Sequence, residues 1–555
     1  MMPHRSLSAS LNRLVCGALL ALVPLNPGPS AAQTAPEAEA ALRNAAFEGA
    51  QWIMFSSAAR AVAGVGARLA AGDDALGALI RERQDLELLI QSAIAAQDAA
   101  LAEGADPDTA RETLRGYRAR FSELETELAA RFPDYAEFSV PRPMGLAETR
   151  ALLREGEALV LILPGPTGSY VWAVSRSADD WARSDLGRED LANHVRTLRR
   201  TLDPTGPARS AAALTADDQT EGFDRHLAHA LYTGLLAGLE PVLDGATRVY
   251  VVTEGPLASL PLSVLVTAPP TGEDRDMAAL RATEWLMRRH ALVTLPSVTS
   301  LRSLRAGQAG TGPAAPPREP RFVGIGAPLL AGAEGGTLVM ASRGGVVSGV
   351  FGDPDAIRAL PALPGTGREL RAIARSFPVG RAHLLLGDAA RESRLPGAGL
   401  EAATILSFAT HGLVSGELEG LTEPALVLTP PAVAGPGDDG LLTASEAALL
   451  RLSADWVILS ACNTAAGEDL GAESLSGLAR AFFFAGARSL LVSHWPVRDD
   501  AAAAMVSDAV RHSAGGMGRA EALQSAMIAL LERPRGGFAH PSAWAPFVLV
   551  GEGDN

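Results

Sequence analysis

Two stretches in the last third constrain this chain more than any other feature: ATILSFATHG at 403–412 and DWVILSACNTAAGEDLG at 455–471. Each holds a continuous apolar run of about six residues, as expected of a strand buried on both faces of a sheet. Each run ends in a small residue followed by a reactive one, Thr410-His411-Gly412 and Ala461-Cys462-Asn463. Ligand sites of open parallel sheets lie outside the carboxyl ends of the strands, so His411 and Cys462 are expected on one rim. Neighbouring strands lie about 5 Å apart, close enough for the two side chains to meet directly or across a substrate.

A thiol attacks a carbonyl carbon as the thiolate, or when it loses its proton on demand. An adjacent imidazole serves as the base and then protonates the leaving amine. The backbone N–H of Gly412, unobstructed by a side chain, and that of Cys462 are the obvious donors to the resulting oxyanion. The bland alternative for Cys462 is a buried thiol acting as a small hydrophobe.

The chain has two cysteines, Cys16 and Cys462. Its start carries Arg5 and Arg13, an apolar run from Leu14 to Leu25, and the small residues Ser30-Ala31-Ala32. That is the pattern of a secretory signal peptide over 1–32, with an apolar run too short to span a bilayer. Export to the periplasm or beyond follows; an incidental apolar start would leave the protein in the cytoplasm. Once the leader is cleaved, Cys462 has no internal partner for a disulfide. The net charge of −15 argues against nucleic-acid binding, which needs a basic face to displace counterions from phosphate.

Further along the chain, Leu76, Leu79, Leu86, Leu89 and Ile90 recur at helical spacing, as do Leu114, Tyr117, Phe121, Leu124 and Leu128 after the break Gly104-Ala105-Asp106-Pro107. A helical hairpin is expected within 33–140. Apolar runs alternating with helical stretches then predict a mainly parallel sheet with helices on both faces. The expected units are an α/β unit over 141–305, a Gly/Pro/Ala-rich linker over 306–320 and a second α/β unit over 321–555. Strands are expected at Ala158–Leu163, Tyr170–Val174, Arg248–Thr253, Phe322–Gly326, His383–Leu386, Ala403–Thr410, Ala425–Leu428, Trp456–Ala461, Ser489–Ser493 and Pro546–Val550. The glycines of GIGAPLLAG (324–332) lack a complete phosphate-binding pattern and read as a loop.

SFATHG, the long stretch from GLLTASEAALL through SACNTAAGEDLG to SHWPVRDD, and the terminal HPSAWAPFVLVG together resemble a CHAT domain, the caspase-like domain associated with TPR repeats. VVTEGPLASLPLSVL and ALVTLPSVTSLRSL resemble its usual beginning, so the likeness covers roughly Ala158 to Gly551. The His-to-Cys spacing of 462 − 411 = 51 residues agrees with the roughly 50 residues by which the histidine precedes the cysteine in caspases. The resemblance implies tandem caspase-like α/β/α units, the first of them non-catalytic. It also implies a cysteine endopeptidase of the caspase/separase clan, with His411 as general base, Cys462 as nucleophile and Gly412 in the oxyanion hole. The usual TPR array is reduced to a remnant around AFEGAQW (46–52) plus the hairpin, which is the expected place for a regulatory protein partner.

Relatives of separase often cut after a basic residue, held by an acid at the base of the first specificity pocket. HWPVRDD (494–500) matches the corresponding Trp-x-Val-x-Asp segment and nominates Asp499, with Asp500 second. A carboxylate there would pair with a substrate arginine through two parallel hydrogen bonds; a helix cap near Ala501 is the alternative for the same acid. No cofactor is expected. A zinc site drawn from His411, Cys462, His494 and His383 has no close-spaced ligand pair behind it. The competing functional reading is a catalytically silent scaffold that binds protein partners.

Overall fold

The computed structural model describes residues 35–54, 79, 82, 86, 89–90, 93, 108–131, 143–203, 222–306, 319–332, 354–413, 418, 421, 423–435, 438–460, 477–495 and 497–554. The expected leader at 1–32, most of the expected linker and Cys462 itself lie outside them. The chain divides into two compact units, Met1–Ala46 and Phe47–Asn555, and the following concerns the second.

Its strands are β1 Glu157–Pro164, β2 Ser169–Ser175, β3 Asp179–Ser184, β4 Arg248–Thr253, β5 Ala291–Thr294, β6 Phe322–Gly326, β7 Ala382–Leu386, β8 Ile405–Ala409, β9 Gly412–Leu413, β10 Ala425–Val427, β11 Leu441–Thr443, β12 Trp456–Ser460, β13 Ser489–Ser493 and β14 Phe547–Gly551. Helices of eight residues or more are α1 Ala35–Ile53, α2 Asp108–Arg131, α3 Arg188–Leu202, α4 Arg225–Leu235, α5 Val298–Ala306, α6 Pro364–Ala374, α7 Gly477–Ala485, α8 Asp499–Ala514 and α9 Arg519–Leu531.

Eleven strands form one sheet in the order β3-β2-β1-β4-β5-β14-β13-β12-β8-β6-β7. The pairs β1/β4, β4/β5, β13/β12, β12/β8, β8/β6 and β6/β7 are parallel. The mainly parallel α/β architecture is therefore as expected. The two α/β units, however, are not separate sheets: the last strand, β14, pairs with β13 on one side and β5 on the other, fusing both halves into one. The run at Ala425–Leu428 also departs from expectation. It joins β9 and β11 in a three-stranded antiparallel sheet of its own.

Central strands are buried end to end, β4, β6, β8 and β13 entirely so, and burial of each large side chain contributes about 1.5–3 kcal/mol. Gly324 and Gly326 belong to β6, in keeping with the strand expected at Phe322–Gly326 and against the loop reading of 324–332 for these two positions. A Cβ on Gly324 would lie 3.1 Å from Leu370 Cδ2, and one on Gly326 3.0 Å from Leu370 Cδ1 and 2.2 Å from the Ala409 carbonyl oxygen. These glycines let α6 seat directly on the sheet.

Beside the seam, Glu157, Arg248, Arg305 and Glu552 are all buried. Arg305 reaches Glu157 at 2.7 Å and Glu552 at 3.2 Å, and Arg248 holds Glu521 at 2.7 Å and pairs with Asp554. Tyr250 donates to Glu552 at 3.1 Å. This ion cluster ties β1, β4, α5, α9 and the segment after β14 together. Burial pulls the Arg305 guanidinium down, but Glu157 and Glu552 outweigh it and hold the group above its ordinary value.

Of the helical region, α1 buries Phe47 edge-on against Trp172, ring centroids 6.2 Å apart. Gln51 exchanges hydrogen bonds with the Met144 backbone, donating at 2.8 Å and accepting at 3.0 Å. Residues 79, 82, 86, 89, 90 and 93 are helical, and Glu82 pairs with Arg120 of α2 at 2.6 Å.

Candidate active site

The histidine and cysteine strands are neighbours. Strands β8 and β12 pair in parallel with Ile405 opposite Trp456 and Ala409 opposite Ser460. The register offset, 456 − 405 = 51, equals the His411–Cys462 separation along the sequence, and the paired Ala409 and Ser460 each come two residues before one of them.

His411 is 8% exposed. Its Nε2 lies 2.8 Å from the Pro361 carbonyl oxygen. A carbonyl only accepts, so Nε2 carries the proton and Nδ1 of the neutral ring keeps the lone pair. Burial lowers the His411 pKa, and the bond to Pro361 opposes that in part; the ring is a neutral base at physiological pH. Thr410 donates to the Val427 carbonyl at 2.5 Å and the Val427 N–H to the His411 carbonyl at 2.9 Å, anchoring the strand end on β10. The latter bond makes Gly412 and Leu426 a non-hydrogen-bonded pair of the antiparallel ladder, so the Gly412 amide is not spent on β10.

The residue types carried no sign of Pro361: any residue can offer a carbonyl, and only folding brings position 361 to position 411. Glu369 of α6 is likewise new. Only 3% exposed, it accepts from Ser460 Oγ at 3.2 Å.

Strand β13 ends at Ser493, followed by buried His494 and Trp495. Arg199 of α3 donates to the Ser259 carbonyl at 2.6 Å and to the His494 carbonyl at 3.1 Å, stapling the segment after β4 to the segment after β13. Burial pushes the His494 imidazole down to about 3, so it is neutral. His494 lines a cavity of about 50 Å³ together with Thr253, Ser263 and Met527. Among the described residues His494 Nδ1, Thr253 Oγ1 and Ser263 Oγ have no hydrogen-bond partner, and the cavity exceeds the roughly 10–15 Å³ needed to admit a water.

Helix α8 begins at Asp499, two residues earlier than the cap reading placed it, and its N-cap position is Arg498. Both acids therefore sit in the first turn, where the helix dipole favours negative charge. Asp500 is exposed and bound by Arg498, at 2.7 and 3.1 Å. His383 lies on the edge strand β7 with Nδ1 3.1 Å from the Ala398 carbonyl. Among the described residues no group of three or more His, Cys, Asp or Glu could hold a metal ion, and no helix is long and apolar enough to cross a membrane.

Residues 225–552 match the CHAT domain family, more than half of the 555 residues. The chain belongs to that family. This CHAT protein is 32% identical over 201 residues to tetratricopeptide repeat protein 28 of Mus musculus, taking in 30% of the chain and 8% of the relative. Against its Homo sapiens counterpart it is 33% identical over 116 residues, 21% of the chain and 5% of the relative. The chain thus spans less than a tenth of the length of these curated relatives. Among solved structures it is similar to the separase of a Saccharomyces cerevisiae separase–securin complex, with a TM-score of 0.44 and 9% identity over 76% of this chain and 31% of that one. It is also similar to the Arg-specific cysteine proteinase gingipain R, with a TM-score of 0.34 and 10% identity over 72% and 78% of the respective chains.

Proposed function

We propose that this CHAT protein is a cysteine endopeptidase in which His411 and Cys462 act as a dyad. The observation that carries the reading is the shared offset of 51 residues, which supports the two residues arriving level on one rim. Nδ1 of neutral His411 takes the thiol proton while the sulfur bonds to the scissile carbonyl carbon. The N–H groups of Gly412 and Cys462 hold the oxyanion. The imidazolium returns its proton to the departing amine, leaving a thioester, and a water activated by the same imidazole then hydrolyses it.

Cleavage after a basic residue belongs to the same reading. Because Arg498 already engages Asp500, Asp499 is the acid proposed for the first specificity pocket. Export through the leader at 1–32, and regulation by a protein partner on the helical region, complete the proposal; N-terminal sequencing showing an intact Met1 would remove export.

The test is labelling by a thiol-directed peptide electrophile, comparing wild type with Cys462→Ala and His411→Ala, followed by peptides carrying Arg, Lys or Asp before the scissile bond. Labelling only of the intact dyad, with turnover after Arg or Lys, is the expected result. No labelling under any activating condition would favour a silent scaffold, and turnover after Asp would remove Asp499 from its role.

A further inference from the structure

The segment from Pro361 to Glu369 touches both arms of the site. Its first residue accepts from His411 Nε2 at 2.8 Å, and its last accepts from Ser460 Oγ at 3.2 Å. Ser460 is the final residue of β12, two before Cys462, and stands opposite Ala409, two before His411. A carboxylate that is 3% exposed is costly unless hydrogen-bonded, and an aliphatic side chain would fill the same volume without that cost. The platform beneath Glu369 is also well defined, because Leu370 beside it fits against Gly324 and Gly326. Its neighbour in sequence being seated in those notches, Glu369 has little freedom to follow Ser460 if the strand end shifts.

We propose that Glu369 is a positioning residue for the nucleophile. Through Ser460 it pins the end of β12, as Pro361 pins His411, so that one rigid helix and its lead-in set the sulfur-to-imidazole distance. This role rests on the peptidase reading, but its physical content, a tether on the strand that leads to Cys462, can be read from thiol reactivity alone. Neither Glu369 nor Ser460 touches substrate in this account; both act through the placement of Cys462.

The experiment uses the full chain with Cys16→Ser, so that Cys462 is the only thiol, and compares Glu369→Leu, Ser460→Ala, the double variant and Glu369→Gln, which keeps an acceptor oxygen. Two quantities are measured: the rate of alkylation by iodoacetamide against pH, and kcat and KM on a cleavable peptide. Misplacement of a reacting group by about 1 Å costs on the order of 10²-fold in rate. Glu369→Leu and Ser460→Ala should each lower kcat by about 10- to 100-fold with KM within about twofold, and should displace the alkylation profile along the pH axis. The double variant should fall no further than the worse single one, because a shared contact is lost only once. Glu369→Gln should restore most of the rate. Circular dichroism and thermal melts identify any variant that has merely unfolded, and Glu369→Gln against Ser460→Ala then carries the comparison. A wild-type alkylation profile in folded Ser460→Ala or Glu369→Leu, or additive losses in the double variant, would overturn the proposal. Absence of peptide turnover in the parent protein would instead count against the peptidase reading and leave the alkylation result to decide the tether.

Discussion

The ion cluster beside the seam and the rim that carries His411 use burial in opposite ways. In the cluster, Arg248 and Arg305 are each held by carboxylates, and their charge is favoured in spite of desolvation. At the rim, the described residues give the His411 ring a backbone acceptor and no counter-charge, so desolvation wins and the ring is neutral. Between them stands Glu392, a buried carboxylate that accepts from the Asp439 and Gly440 amides at 2.8 and 2.7 Å. Burial pushes it up to about 8 in spite of both bonds. Low dielectric locks charge where partners balance it, and leaves a titratable lone pair where they do not.

The largest expected effect separates chemistry from stability. Cys462→Ala should abolish peptide turnover and His411→Ala should reduce it by about 10³-fold or more, while urea midpoints stay near wild type. A large stability loss in either would break the contrast with the cluster. Arg305→Leu should do the reverse. It leaves Glu157 and Glu552 buried without that cation and should cost about 3–5 kcal/mol in urea unfolding, with the alkylation profile of Cys462 unchanged in the protein that remains folded.

Glu392 gives the intermediate case. Its folded pKa of about 8 lies above the unfolded value near 4.3, so the native state binds the extra proton between them. Its contribution is present below the unfolded pKa and is lost as pH rises toward 8, by on the order of a few kcal/mol. Stability curves at pH 5 and 8 should converge in Glu392→Gln; an unchanged gap would place the pH dependence elsewhere. The smallest effect concerns His411. Because its pKa is lowered, the acid limb of kcat/KM should fall below the unperturbed value of about 6.5. Protonation of the unfolded chain through that range should also reduce stability as pH falls. An acid limb above 6.5 would mean that a counter-charge joins the ring in the working enzyme.

Much of the candidate site's rim was legible before folding because it rests on local patterns. Strands buried on both faces must be apolar throughout, so Arg248–Thr253, Phe322–Gly326 and Ser489–Ser493 carry their own boundaries. Strand β3, DDWARS, does not: it is a partly exposed edge strand with no apolar run and was not foreseen. The strand at Phe322–Gly326 was legible, but why it holds Gly324 and Gly326 was not, because a glycine in a strand is explained only by the helix that approaches it.

From the residues alone came the pairing of an imidazole with a thiol at the ends of two buried strands, since hydrophobic continuity and residue type are local properties. Tertiary structure decided that those strands are neighbours in matching register, that β14 closes both halves into one sheet, and that Pro361 and Glu369 stand behind the rim. Those are encounters between segments tens to hundreds of residues apart, made through backbone carbonyls and single buried polar atoms. Such contacts leave no periodicity or composition to read, because each becomes favourable only once the sheet has brought its partners together.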